Sequence, residues 1–363
     1  MNFKPNWRFG AVAIFLMLIQ SCSSATKNLS PQRPWQKSVP GKGALGNYSE
    51  RTLSGFGTNF VIRAWPSSKP TVPLQTALDL AVAEINRIAK IADADVEGSE
   101  VSIINEKSYK EAVPISAELA SILMDCDRMY QLSNLRFDVT YTRYKNRSEF
   151  TDADFNRITD WDTISPPGDG AHRLFGDKNM ILDTKPVPKV RLYNQRLKIS
   201  LNGMMRGYAI DKAMRVLMKQ GLGGMSVIAD GFFAAIGTPL RDQNLLCIEN
   251  PKVLGSCLFQ IKPLDPRKVL FVGTSASQER PGKMFDPKEI WTLRSGGVVV
   301  SGSNGAWVQF STTISAVMDD LVLNNFFKKS QDPKLVGVYF LKDQNNAIDG
   351  SLEPFAKVEK AGK

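Results

Sequence analysis

Apolar side chains recur along this chain at two spacings, and the spacing sorts it into helices and strands. Leu74, Leu78, Val82, Ile85 and Ile88 fall every three or four residues on one face and predict a helix over about 73–91. Leu119, Ile122, Leu123, Cys126 and Met129 do the same over about 116–132, where Ser116 is placed to cap the first turn and Cys126 faces the core. A third helical repeat runs from about Gly207 to Gln220 and stops at Gly221. After it come short apolar runs bounded by Gly, Asn and Pro: "MSVIAD", "FFAAIG", "LLCIEN", "CLFQIKPL", "KVLFVGTSA", "GGVVVSGS" and "KLVGVYFLK". These predict strands, and a helix over "TTISAVMDDLVLNNFF" interrupts the last two. Earlier, "NFVIRAW" predicts a strand, "GSEVSIIN" a polar turn before a short segment, and "RFDVT" follows the second helix. Residues 143–185, rich in Asp, Gly and Pro with little periodicity, predict an insertion over the surface. Long helices beside a largely hairpin-linked sheet, with no internal repeat, predict an α+β fold.

The N-terminus breaks this pattern. Lys4 and Arg8 precede "FGAVAIFLMLIQSC", an uncharged apolar run too short to cross a bilayer comfortably and flanked like a secretory signal. Its end, Leu18 to Cys22, resembles the lipobox of bacterial lipoproteins, in which the cysteine is acylated and becomes the new N-terminus; a plain signal peptide or membrane anchor is the alternative. The expected organisation is a signal over 1–21, a flexible Ser-, Pro-, Lys- and Gln-rich tether over 22–48, one folded domain over 49–345 and a C-terminal tail over 346–363. The expected destination is the periplasmic face of a bacterial membrane. Ser23 stands where lipoproteins held at the inner membrane often carry Asp, a weak sign of another destination.

Composition narrows the chemistry. The 363 residues are 43% hydrophobic and 23% charged, ordinary globular usage. The formal charge is +10, falling to +8 without Lys4 and Arg8, yet no dense basic block with interleaved aromatics occurs, which argues against a nucleic-acid partner. The single histidine, His172, excludes a His-rich zinc site and leaves a Ser-His-Asp triad only that residue. "GKGALG" at 41–46 matches a dinucleotide-binding pattern, but no strand precedes it and no amphipathic helix opens from it. Cys247 and Cys257 lie in two apolar runs joined by an Asn-Pro turn, so a disulfide across a hairpin and two buried thiols are both open.

The stretch "ISLNGMMRGYAIDKA", residues 199–213, places small residues between a strand-like run and a helical repeat. Such a turn allows close backbone approach, and the first free N–H groups of a helix favour an anion, so the stretch suggests a phosphate site. Tight packing of Gly203 and Gly207 with no ligand is the alternative.

Several segments, in order, resemble the ApbE-type FAD:protein FMN transferases, lipoproteins that move FMN from FAD onto a Ser or Thr of another protein. They are "GFGTNFVI", "SEVSIIN", "RFDVT", "SLNGMMRGYAID" and, more weakly, "DGFFAAIG" and "STTISAVMDD", together spanning about 50–340. The resemblance implies a T-fold-type domain with a mixed, largely antiparallel sheet, FAD and Mg²⁺ as cofactors, an acceptor protein as partner and AMP as leaving product. It implies cofactor contacts at Phe56, Phe137, Ser200, Arg206 and Lys283, and a metal held by Gly203, Ser315 and Asp319, with Asp319 and Arg206 carrying catalysis. The chain also departs from the family. Ser200 stands for a usual acidic residue, Arg206 for Lys or Glu, Phe56 for a methionine, Phe232 for a strand aspartate and Lys283 for a frequent histidine. Ser315 and Asp319 reverse the family's Asp and Thr, and residues four apart share a helical face, so a hydroxyl and a carboxylate still point the same way; a solvated helix edge at Asp319 and Asp320 is the alternative. Three functional readings follow: a transferase, a non-catalytic flavin-binding relative, and an interaction module without flavin.

Overall fold

The computed structural model describes residues 48–140, 171–175, 180–193, 197–229, 231–241, 246–249, 257–276, 297–315, 326, 335–342, 347–349 and 356–360. All lie in one unit, Arg33–Lys363. Strands β1 (Ser49–Gly55) and β2 (Thr58–Trp65) form a hairpin whose two turn residues, Phe56 and Gly57, both have positive φ, 50° and 68°. Two-residue hairpin turns of this kind match the right-handed twist of the flanking strands. Helix α1 (Leu74–Ala92) follows, then α2 (Glu100–Lys107), β3 (Val113–Pro114) and α3 (Ala117–Leu132). Next come β4 (Ala171–Leu174), β5 (Met180–Asp183), β6 (Lys189–Leu192), α4 (Asn202–Met218), β7 (Gly224–Ala229), β8 (Phe232–Gly237) and the short α5 (Thr238–Arg241). The chain continues through β9 (Leu246–Glu249), β10 (Cys257–Pro263), β11 (Leu270–Ala276), β12 (Gly297–Gly302), α6 (Gly305–Ser315), β13 (Leu335–Lys342), β14 (Ala347–Asp349) and β15 (Ala356–Lys360).

An eight-stranded sheet runs β1-β2-β7-β8-β11-β12-β13-β14, with β15-β10-β9 and β3-β6-β5-β4 as smaller sheets, and every described pairing is antiparallel. Helices α1, α4 and α6 cover one face of the large sheet side by side: α1 on β1 and β2, α4 on β7 and β8, α6 on β11 and β12. The buried side chains between them include Leu78, Ile85 and Ile88 of α1 and Val227, Phe232, Ala234 and Phe271 of the strands. Each large apolar side chain so buried contributes about 1.5–3 kcal/mol, which is why the 3.6-residue stripe of α1 was legible in advance. The α+β expectation stands.

Four local expectations change. "SEVSIIN" is helix α2: Ser99 caps it, its hydroxyl accepting the Ser102 N–H at 3.0 Å, and with only Val101 and Ile104 buried it is too short to show a periodicity. Helix α4 starts at Asn202, not Gly207, so its glycines lie within the helix. Helix α6 starts at Gly305, where the Asn304 side chain accepts the Trp307 N–H at 3.1 Å. Gly305 to Thr312 are all buried, which leaves no polar face to frame a stripe. Part of the expected insertion is sheet: β4, carrying an exposed His172, pairs with β5, and β5 with β6, while residues 143–170 lie outside the described residues.

The C-terminal stretch also pairs, as β14 and β15, where a tail was expected. In the β9–β10 ladder Cys247 faces Gln260 and Cys257 faces Glu249. The two cysteines are therefore not register partners across the hairpin. Cys126 is buried, and its thiol donates to the Met204 sulfur at 3.0 Å. Among the described residues no helix is long and apolar enough to cross a membrane.

Candidate functional site at the start of helix α4

The approach to α4 is held by the motifs that surround it. Asn105, at the end of the "SEVSIIN" helix, accepts the Ile199 N–H at 2.7 Å and donates to the Ile199 carbonyl at 2.9 Å; its own carbonyl accepts from Lys198 Nζ. Val139 of "RFDVT" accepts the Ser200 N–H at 2.9 Å. Phe137 of the same motif is almost enclosed, its ring edge-on to Phe310 of α6 at 4.9 Å. A Cβ on Gly203 would lie 2.7 Å from the Phe137 ring, so the glycine makes room for it.

Helices α4 and α6 meet at a pair of glycines. A Cβ on Gly207 would drive into the Gly305 carbonyl oxygen, and one on Gly305 into the Gly207 carbonyl oxygen. Gln309 ties the same crossing, accepting the Gly207 N–H at 2.5 Å and donating to the Asn202 carbonyl at 2.8 Å. Thr313 donates to the Gln309 carbonyl at 2.9 Å and reaches the Gly203 carbonyl at 3.4 Å. Several backbone donors here already have partners: Met204 and Met205 N–H turn back to the Leu201 carbonyl, and Gly207 N–H goes to Gln309. Both glycines make room for close packing, Gly203 for the Phe137 ring and Gly207 for helix α6, and Arg206 is the cationic side chain on the first turns of α4.

Arg206 reaches back to the first hairpin, its Nε donating to the Phe56 carbonyl at 3.1 Å. Phe56 itself is fully enclosed against Phe60, so what it presents to this region is backbone. Three polar atoms near the α4–α6 seam and along α6 are buried without a hydrogen-bond partner: Asn202 Oδ1, Ser311 Oγ and Ser315 Oγ. Phe232 is buried against Phe271.

One turn further along α4, Tyr208 donates to Glu118 at 2.8 Å, and Arg87 donates to Glu118 at 2.6 and 3.1 Å and to Glu84 at 2.9 Å. This network joins α1, α3 and α4. The Arg87 hydrogen bonds hold both carboxyls below their ordinary range, while burial, helped by Glu118, pushes the Tyr208 phenol up. Burial also raises Asp211, partly offset by its Arg215 partner at 3.0 Å. Because the Glu118 pKa is lowered on folding, its contribution is present above the ordinary glutamate value of 4.5 and is lost as pH falls through the folded value. Glu118→Gln should therefore cost about 1 kcal/mol at neutral pH, a figure kept small because Arg87 is half exposed. Thermal unfolding of both proteins across the acid range checks this: the gap should close below pH 4.5.

Of the residues singled out in the sequence, Phe137, Gly203 and Ser200 are gathered at the α4 start, Arg206 on the hairpin turn beside Phe56, and Ser315 at the end of α6. Lys283, Asp319 and Cys22 lie outside the described residues. Among those described, no group of three or more His, Cys, Asp or Glu could hold a metal. Sequence reasoning missed Gln309 and Asp93. Gln309 is the one long polar side chain in "GAWVQFSTTIS", a signal that was available.

Compared with known families, residues 56–318 match the ApbE family, well over half of the chain. The chain belongs to the ApbE family. Its fold is shared with solved ApbE structures. The flavin transferase ApbE of Vibrio cholerae matches with a TM-score of 0.63 at 16% identity, over 85% of this chain and 99% of that one. The ApbE protein of Thermotoga maritima gives 0.62 at 19%, over 84% and 96%. The flavinyl transferase ApbE of Pseudomonas stutzeri, in its apo form, gives 0.59 at 15%, over 84% and 94%. No curated protein matches the chain. Within the family fold, the "SLNGMMRGYAID" segment is the α4 start described above.

Proposed function

We propose that this ApbE-family protein is an FAD:protein FMN transferase. It binds FAD with the diphosphate near Arg206, and a Ser or Thr hydroxyl of an acceptor protein attacks the phosphorus on the FMN side. The diphosphate bond breaks, AMP leaves, and the hydroxyl proton is released. The observation that carries the reading is the convergence of the family's motifs on one place: "RFDVT", "SEVSIIN", the hairpin turn and α6 all bond to or pack on the start of α4.

Magnesium is tested against the oxygen atoms present. Ser315 Oγ is buried without a partner, and the Gly203 carbonyl lies 3.4 Å from the Thr313 hydroxyl of α6. Hard oxygen donors suit Mg²⁺, so by donor chemistry Ser315 Oγ and the Gly203 carbonyl would hold it, with Asp319 of the sequence reading as the carboxylate. Bound there, the ion would neutralise diphosphate charge. Arg206 supplies a fixed positive charge, oriented by the Phe56 carbonyl, and needs no reorganisation during the reaction. Gln309 keeps α6 and α4 in one register, so the atoms contributed by the two helices stay together. A neutral hydroxyl at 315 and an apolar Phe232 favour a second reading, a relative that binds flavin without transferring it. AMP release from FAD in the presence of Mg²⁺ and an acceptor supports the first; bound flavin with no AMP supports the second.

The proposed location is the outer face of a bacterial inner membrane or the periplasmic side of the outer one, tethered through Cys22. Cys22→Ser should shift the protein from the membrane to the soluble fraction after osmotic lysis. Unchanged membrane association would remove the lipid anchor.

A further inference from the structure

We infer that Asp93 is a positioning residue for the diphosphate site, acting through the backbone of Phe56 on Arg206; what Arg206 binds rests on the flavin reading above. Asp93 ends α1 and is only 2% exposed. Its Oδ2 accepts the Phe56 N–H at 2.6 Å, its Oδ1 the Asp95 N–H at 3.1 Å, and its carbonyl the Ser99 hydroxyl at 2.7 Å. A buried carboxylate costs several kcal/mol unless such donors satisfy it, so this one is committed to the hairpin turn.

The turn needs holding. Phe56 sits at φ 50°, a left-handed conformation that costs a residue with a Cβ about 1–2 kcal/mol. Its amide is held by Asp93 and its carbonyl by Arg206 Nε, so both ends of one strained residue are fixed by side chains from α1 and α4. Gly57, at φ 68°, brings its backbone under the guanidinium: a Cβ there would lie 3.9 Å from Arg206 Nη2. Weakening the Asp93 bond lets Phe56 relax towards negative φ, which rotates its carbonyl away from Nε. Arg206 then loses the acceptor that sets its orientation.

A double-variant cycle on the full chain tests this, with flavin fluorescence titrations against FAD and against riboflavin, which lacks phosphate. Asp93→Asn should raise the FAD dissociation constant about tenfold and the riboflavin constant less than about twofold, the pattern expected of Arg206→Ala itself. In the Arg206→Ala background, Asp93→Asn should add less than about a twofold change, because the two act as one unit. Asp93→Glu keeps the charge and should recover part of the FAD affinity; it replaces Asn in the cycle if Asp93→Asn does not fold. Equal losses for both flavins, independent effects in the double variant, or unchanged FAD affinity in a folded Asp93→Asn protein would each overturn the role of Asp93 and leave the flavin reading standing. A wild-type chain that binds neither flavin overturns both.

Discussion

Gly207→Ala is expected to destabilise the protein by about 3 kcal/mol, lowering its melting temperature by roughly 6–12 °C. The added methyl has nowhere to go: it points at the Gly305 carbonyl oxygen, with the Gln309 Cβ at 3.0 Å beside it. Relief requires α4 and α6 to separate, and separation stretches the Gln309 bonds to Gly207 and Asn202. Gly203→Ala should cost less, because it meets the edge of the Phe137 ring, a side chain that can shift where a carbonyl in a helix cannot. Differential scanning calorimetry of the two variants gives the comparison. A Gly207→Ala protein as stable as wild type would mean that the helices do not cross at these glycines.

The second large effect is on turnover. Asp319→Ala should lower Mg²⁺-dependent AMP release by at least about a hundredfold, since a cation that loses its carboxylate ligand gives up several kcal/mol of charge stabilisation. Residues four apart in a helix share a face, and it is this sequence spacing between Ser315 and Asp319 that the expectation rests on. Ser315→Ala should be milder, because it removes a neutral oxygen with no other partner. Single-turnover measurements of AMP at saturating FAD separate the two. Undiminished turnover in Asp319→Ala would assign the residue to solvent.

The large amphipathic elements were legible because burial on one face leaves a periodic trace: α1, α3 and the strands β7 to β13 all lie where apolar spacing put them. Elements without a two-sided environment left none. Helix α6 is buried all round, α2 is too short, and α4 carries glycines that read as a turn until their partners are known. The site behaved in the same way. Residue types at the start of α4 could be read as a place of close approach, but what approaches is another helix, and that depends on Gly305, nearly a hundred residues away. The Asp93–Phe56–Arg206 arrangement joins three segments through one backbone unit, so no local pattern announces it.

Recognition of the diphosphate is the claim on which the functional account stands. Titration of the full chain with FAD and with riboflavin in the presence of Mg²⁺ tests it most directly. The account predicts saturable FAD binding that is much tighter than riboflavin binding. Equal affinity for the two, or no FAD binding at all, would contradict it.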